Sequence, residues 1–363
     1  MLGVDARAFR VSWTVLVVAG AAGLLYLVRG ALLVLVLAIL FAYVVWPLVE
    51  KAEALARRLG AQRLARLWGL ALVYPLLMGL ALLAGVVLAP QITEQAANLV
   101  DKVSAFAGQI RQGNLLDEMS RRSGWSLPTL YAMRDKLMVH AGALLPYLRS
   151  AGAQLLHYLS NLWLVVLVPI LAFFLLKDAE RFREGLESWL VERGHREFLR
   201  AVLEDLHQLL AHYMRSVVVL SFLTFASHLL FFWAAGVPYG LLLASAAGML
   251  EFIPLVGPLG AAALIVLAAW LAGYGHLVWI LIFLGAWRLV QDYVNMPLVI
   301  GSGIELHPLL VILGVVGGAE LAGVAGMFLS IPTLVAVMIL VRHSLPRAAP
   351  EPATEEPPAR RSR

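Results

Sequence analysis

Long uncharged stretches alternate with polar segments along this chain. The four apolar runs in the first half of the sequence are 11–28, 31–49, 67–89 and 155–176. Each approaches the length of about 20 residues that a helix needs to cross a hydrocarbon core of about 30 Å. The pattern therefore predicts four transmembrane helices in this part of the chain.

The polar segments between the runs have a helical periodicity of their own. Apolar residues recur at helical spacing in 90–152, namely at Ile92, Ala96, Leu99, Val103, Phe106 and Ile110. This predicts a small helical insert outside the membrane. Segment 177–215 repeats apolar residues mostly every three or four positions, which predicts an amphipathic helix, or two broken near Gly194, lying at the membrane surface. The proline-rich tail, 344–363, is predicted to be disordered.

The region 216–343 is apolar but contains two segments that are too long for one crossing. As single helices, 240–272 and 306–341 would run about 50 Å and about 54 Å. We predict that both are broken and form re-entrant hairpins, although two ordinary kinked spans for each segment remain an alternative. The residues predicted to shape the breaks are Pro254, Gly257 and Pro258 in the first segment and Gly317 and Gly318 in the second.

Composition supports an integral membrane protein. The chain is 61% hydrophobic and 14% charged, against about 45–50% and about 25% in ordinary soluble domains. The expected fold is all-α and polytopic, with about eight transmembrane segments. The absence of cysteine excludes disulfides and cysteine-ligated metal centres. No metal site or cofactor is expected.

The distribution of basic residues predicts an orientation. The short loop 50–66, the segment 177–215 and the N-terminus are rich in arginine and lysine, so they are expected in the cytoplasm. With both long segments as hairpins, the C-terminus is cytoplasmic as well and the insert 90–152 is extracytoplasmic. The basic residues lie mostly between apolar runs, as expected of loops and membrane-surface helices, so we expect no nucleic-acid partner.

Several sequence strings, in order along the chain, resemble one family. They are LLKDAERF at 175–182, GVPYGLLLA at 236–244, EFIPLVGP at 251–258 and DYVNMPLVIGSGIELHPLLVILGVVGGAELAGVAGMFLSIP at 292–332. Together they resemble the autoinducer-2 exporter (AI-2E) family of bacterial membrane transporters. The resemblance implies export of small solutes from the bacterial cell, or exchange of sodium or lithium for protons. It also implies a homo-oligomer in the inner membrane.

The stretch WRLVQDYVNMP, 287–297, places four polar residues in an otherwise apolar helix. At 100° per residue they occupy an arc of about 100° on one side of the helix: Arg288, Gln291, Asp292 and Asn295. Charges at bilayer depth are costly and normally face a bundle interior or a watery cavity. Arg288 and Asp292 are one turn apart and able to neutralise each other. Alternatively, the stripe only holds neighbouring helices together through polar contacts, or it lies at the cytoplasmic surface of the membrane.

Three further polar residues are candidates for the transport pathway. Glu251 precedes the first break and acts either as a proton carrier or as a fixed, ionised ligand, which the sequence does not decide. Glu320 follows a ridge of small residues and either lines a pathway or lies exposed at a tip. His228, in a weak stripe with Ser221 and Thr224, is a candidate proton relay, although such hydroxyls often bond only to their own helix.

Known enzyme motifs do not account for this chain. IGSG at 300–303 lacks the first glycine of the GxSG motif of intramembrane serine proteases, and neither HExxH, GxGD nor a phosphate-binding GxxxxGK[ST] loop occurs. We therefore expect no enzyme but a secondary transporter of a small polar solute, or an antiporter of a monovalent cation and protons. An oligomeric channel and a non-transporting membrane scaffold are the alternatives.

Overall fold

The computed structural model describes residues 6–60, 64–112, 162–182, 184–185, 196–299 and 307–344. Within these ranges the chain is helical, with short turns and no strand, so the predicted all-α fold is confirmed. Outside the described residues lie most of the predicted insert, the predicted break near Gly194, residues 300–306 and the tail 345–363.

Several of the described helices are long and apolar enough to cross a membrane. Five meet that criterion in the described part of the chain: Arg29–Arg58, Ala65–Phe106, Arg200–Ala235, Leu277–Leu298 and Pro308–Ser344. Shorter apolar helices accompany them at Val166–Lys177, Gly240–Leu250 and Val256–Leu271. This confirms the prediction of a polytopic membrane protein.

The first helices form one side of the molecule. Helix α1, Ala6–Leu27, is followed after one residue by α2, Arg29–Arg58. Helix α3, Ala65–Gln112, runs antiparallel to α2, and α4, Leu162–Lys177, packs with both around a core that includes Val45, Leu70 and Ala172. The α2–α3 loop around residue 60 marks one end of the bundle, which we call the loop-60 end.

Helix α3 differs from the sequence prediction at Pro90. The prediction separated a span, 67–89, from an insert that begins at Pro90, whereas α3 continues through Pro75 and Pro90 to Gln112. Beyond Pro90 the helix contacts α6, Gly240–Leu250, where Gln95 Oε1 accepts a hydrogen bond of 2.9 Å from the backbone N–H of Leu242. The rings of Phe106 and Trp270 also meet at 5.1 Å.

Helix α5, Arg196–Ala235, has 40 residues and is about 60 Å long. The prediction placed residues up to 215 in a helix lying at the membrane surface. In the structure, residues 196–215 are continuous with the helix that follows them, without a break before residue 216. Apolar side chains turn this part of α5 toward the bundle, where Tyr213, Met214 and Val217 pack with Leu40 of α2. The amphipathic face predicted from the sequence is therefore buried against α2.

The first hairpin consists of α6, Gly240–Leu250, the turn 251–255 and α7, Val256–Leu271. Helix α6 runs antiparallel to the second half of α5, with Gly248 against Phe225 and Gly240 against Phe232. At the turn, a methyl group on Gly257 would collide with the Leu250 carbonyl, so only glycine permits this reversal.

Helix α8, Leu277–Val290, continues into one π-helical turn, Gln291–Asn295, and a short helix α9, Met296–Val299. The second hairpin is α10, Pro308–Ser344, whose path breaks at Ala322 and Gly323, the latter with φ of 59° and ψ of −138°. Its two arms, 308–321 and 324–344, pack so closely that a methyl group on Gly318 would strike the Gly326 carbonyl.

The two hairpins enter the bundle from opposite ends and meet inside it. Helix α6 begins at the end of the molecule opposite the loop-60 end, next to the C-terminus of α5. The second arm of α10 ends at the loop-60 end, where His343 lies near Phe198 and Asp205 of α5. In the interior, Phe252 of the first turn contacts Phe328 of α10, with 5.6 Å between ring centroids.

Candidate functional site

The turn of the first hairpin is held in an unusual backbone conformation. Leu255 has φ of 63° and ψ of −54°, and the Val256 N–H donates to the Pro254 carbonyl over 2.6 Å. This is a γ-turn of the rare positive-φ kind, which costs a non-glycine residue of the order of 1–3 kcal/mol. Such strain clusters at functional sites, and here it lies four residues from Glu251.

Glu251 belongs to a network of four polar side chains. Thr224 Oγ1 donates to Glu251 Oε2 over 3.3 Å, and Gln291 Nε2 donates to Glu251 Oε1 over 3.0 Å. Gln291 Nε2 also lies 3.4 Å from Thr224 Oγ1. Asn295 Nδ2 completes the polar network with a bond of 2.8 Å to Gln291 Oε1. Each carboxylate oxygen therefore has a donor, and three separate elements, α5, the first turn and the π turn, are joined.

This polar network is largely removed from the surface. Thr224 and Gln291 are each 3% exposed, while Glu251 and Asn295 are partly buried. A polar cluster among membrane-spanning helices must satisfy its own hydrogen bonds, because hydrocarbon offers none. The four side chains do so while leaving Glu251 and Asn295 partly accessible.

Gln291 and Asp292 begin the π turn and face different surroundings. The sequence projection placed Gln291 and Asp292 in the same polar stripe. In the structure Gln291 is buried against α5, whereas the side chain of Asp292 is 37% exposed. A π turn widens the helix locally and occurs often at functional sites.

Arg288 and Asp292 form an ion pair beside the polar network, as their spacing predicted. Two parallel contacts join them, 2.9 Å from Nε to Oδ2 and 2.8 Å from Nη2 to Oδ1. The bidentate geometry neutralises both charges, which lowers the cost of placing them in a membrane helix. The pair faces outward from the chain, with 45% of the Arg288 side chain exposed.

His228 lies one turn from Thr224 in an aromatic enclosure. Its Nδ1 donates to the Thr224 carbonyl over 2.8 Å, and its ring lies edge-on to Phe232, Phe283 and Trp287. Among the described residues no chain of side-chain hydrogen bonds leads from His228 to Glu251. The proposed relay role therefore has no direct connection to the carboxylate in this conformation.

Glu320 does not join the polar network. It is exposed on the first arm of the second hairpin, near the break at Ala322 and Gly323. That break lies beyond the predicted position at 317–320, and a methyl group on Gly317 would meet nothing within 4 Å. Gly318, by contrast, is required for the close packing of the two arms. The described residues contain no cluster of His, Asp or Glu suited to hold a metal ion.

Two hydroxyl groups of α5 take part in the site although the sequence pattern indicated them only weakly. Ser221 and Thr224 fall at helical spacing with His228, which was the only signal. A serine or threonine in a helix often bonds its own preceding turn. Here Ser221 Oγ instead donates to the Gly248 carbonyl over 2.7 Å, and Thr224 reaches Glu251, so both link α5 to the first hairpin.

Comparison with known proteins agrees with the strings quoted from the sequence. A sequence model of the family described as "AI-2E family transporter" matches residues 15–345. The chain is 24% identical over 316 residues to "Putative transport protein YrrI" of Bacillus subtilis, covering 86% of each chain. It is 27% identical over 355 residues to "Putative permease PerM" of Escherichia coli K12, covering 92% of each chain. Over a shorter stretch of 100 residues, 27% of each chain, it is 40% identical to "Putative transport protein MT0215" of Mycobacterium tuberculosis.

Proposed function

The chain belongs to the AI-2E transporter family, and from that premise we propose that it is a secondary transporter whose solute or ion contacts the polar network around Glu251. Family membership supports a role in membrane transport, and the relatives carry the names of transport proteins and permeases rather than of enzymes. The cargo in this proposal is a small polar solute, or a monovalent cation exchanged for protons.

The observation that carries the proposal is the position of the polar network. Glu251 lies in the turn of the first hairpin. The next residue, Phe252, contacts Phe328 of the second hairpin. Breaks in paired hairpins that enter from opposite sides are typical of transporter sites near the membrane midplane. Movement of either hairpin would change the hydrogen bonds that Glu251 accepts, and this offers a way to couple binding to access.

The proposal includes an orientation and an assembly. The loop-60 end carries Arg57, Arg58 and Arg66 in a short connection, and the positive-inside rule favours the cytoplasm for it. The proposal places the C-terminus in the cytoplasm because the second arm of α10 ends at the loop-60 end, and the N-terminus there because of Arg7 and Arg10. The membrane in this proposal is the inner membrane. A homo-oligomer is also proposed, because a second copy would shield the outward-facing Arg288 and Asp292 from lipid.

The experiment uses the purified full chain in liposomes. Proton flux is measured against gradients of sodium, lithium and small polar solutes for wild type, Glu251→Gln and the control Glu94→Gln, whose side chain is exposed on α3. Because a hydrogen bond to a charged group contributes about 1.5–3 kcal/mol, flux through Glu251→Gln should fall about tenfold or more. Glu94→Gln should match wild type.

Three outcomes would count against the proposal. Normal flux in a folded Glu251→Gln variant would remove Glu251 from the pathway. Flux that fails to saturate with substrate and shows no response to a proton gradient would favour the channel alternative. Absence of flux for every substrate, with wild-type behaviour of all variants in cells, would favour a scaffold.

A further inference from the structure

A second polar cavity lies at the loop-60 end, away from the polar network. It has a volume of about 410 Å³ and opens between the end of α2, the start of α3 and the end of α4. A smaller cavity of about 230 Å³ adjoins it and shares the walls Trp46, Leu176 and Ala179. Together they have the size of a small-molecule site.

Both arginines of the larger cavity are already engaged. Arg57 pairs with Glu53 one turn away. Arg66 donates to the Leu176 carbonyl through Nε and Nη2, at 3.0 Å and 2.6 Å, and through Nη1 to Glu180 at 3.2 Å. Each guanidinium charge is therefore paired with a carboxylate of the same cavity.

The third carboxylate of the cavity, that of Glu50, is paired with neither arginine. It lines the same cavity as Glu53 and Glu180, and in the described part of the chain it has no ion-pair partner. With three carboxylates against two committed guanidinium groups, the uncompensated charge of the cavity is negative. A cationic ligand group is the one that this arrangement favours.

The smaller cavity is apolar and aromatic. The rings of Tyr43 and Trp46 lie 5.2 Å and 5.9 Å from that of His207, and Phe182 also lines the wall. Trp46 borders both cavities, so a ligand with its charge near Glu50 would place its apolar part against aromatic faces. Such faces attract organic cations as well as apolar groups.

We propose that these joined cavities form a second binding site, which takes an organic ammonium ion that carries an apolar group. The ammonium group pairs with Glu50, and the apolar group occupies the aromatic cavity. This site is independent of the transport proposal, because none of its residues belongs to the polar network. The same chemistry occurs in soluble amphipathic amines and in the headgroup region of phosphatidylethanolamine.

The test measures binding of phenylethylammonium to the full chain in nanodiscs by calorimetry, with empty nanodiscs subtracted. In phosphatidylglycerol nanodiscs, which contain no ammonium lipid, wild type should bind the probe saturably, whereas uncharged phenylethanol should not. Glu50→Gln should weaken binding about tenfold or more, because a charge-assisted hydrogen bond is lost. Glu94→Gln should leave it unchanged.

A second variant keeps the test valid if Glu50→Gln is unstable. Ala179→Trp fills the shared wall without changing any charge, and it should abolish binding. Adding phosphatidylethanolamine to the nanodiscs distinguishes a lipid ligand from a soluble amine. A weaker apparent affinity for the probe supports a lipid ligand, and an unchanged affinity supports a soluble amine. No saturable binding to wild type, or equal affinity in wild type and a folded Glu50→Gln variant, would overturn the proposal.

Discussion

Gln291 and Glu251 lie 40 positions apart in the chain and are joined by a hydrogen bond of 3.0 Å from Nε2 to Oε1. The bond connects the π turn that follows α8 to the turn of the first hairpin. It also gives one oxygen of the partly buried Glu251 carboxylate a hydrogen-bond donor, and Thr224 donates to the other oxygen. Because these two turns are short and irregular, a side-chain contact between them sets their relative position more than helix packing does.

Replacement of Gln291 by leucine should destabilise the protein and impair transport. The change keeps the volume but leaves Glu251 Oε1 without its donor, at a cost of about 1–3 kcal/mol. Thermal unfolding in nanodiscs and flux in liposomes measure both effects. Gln208→Leu is the control, since Gln208 donates only to Glu204 on an exposed face, and its effect should stay within about 0.5 kcal/mol. Equal effects of the two substitutions would contradict the importance of the bond.

The neighbouring glycines 317 and 318 should respond oppositely to alanine. A methyl group on Gly318 collides with the Gly326 carbonyl, so Gly318→Ala should push the arms of the second hairpin apart and destabilise it by about 1–3 kcal/mol. Gly317→Ala meets open space and should be neutral or stabilising by up to about 1 kcal/mol, because alanine favours the helix. Unfolding temperatures compare the two variants. Similar losses in both would show that the arms are not closely packed.

Leu255 offers a test of the strained turn. Leu255→Gly should relieve the cost of its positive φ, and Leu255→Ala should not, although both remove the same half-exposed side chain beyond Cβ. We expect the glycine variant to be more stable than the alanine variant by about 1 kcal/mol. If the strain also biases the hairpin between conformations, transport rates of the two variants should differ as well. A glycine variant less stable than the alanine variant would refute the assigned strain.

The Arg288–Asp292 pair predicts a coupled response to mutation. Arg288→Met or Asp292→Asn alone leaves one charge without its partner in a membrane helix, at about 2.5–3.5 kcal/mol on insertion scales. The double variant removes both charges and should be more stable than either single variant. Thermal unfolding of the four proteins in nanodiscs gives the coupling. Strictly additive losses would show that the two side chains do not depend on each other.

The local parts of the candidate site were accessible from sequence. Helical spacing placed Arg288 next to Asp292, and the structure contains that pair, because residues one turn apart meet whatever the rest of the fold does. The break at 251–258 was visible from its prolines and glycine for the same reason. The second break was placed too early, because Gly318 serves arm packing, Gly317 lies beside open space, and the turn falls at Gly323.

Contacts between distant elements were not accessible in this way. In the sequence, Ser221 and Thr224 formed only a weak polar stripe, because a hydroxyl group in a helix often donates to a carbonyl of its own preceding turn. Only the antiparallel packing of α5 on α6 brings them to Gly248 and Glu251. The π turn at Gln291–Asn295 was likewise not anticipated, because a periodicity of 3.6 residues carries no signal for it.

The sequence by itself determined that this protein is a helical membrane protein with two broken segments and charges in its spans. The length of the apolar runs, the positions of the charges and the backbone preferences of proline and glycine are local properties, so they can be recognised in the sequence alone. Only the tertiary structure decided which of the polar residues meet. It brought Glu251, Thr224, Gln291 and Asn295 together and left Glu320 outside, because hydrogen-bond satisfaction in a membrane depends on neighbours supplied by the packing of remote helices.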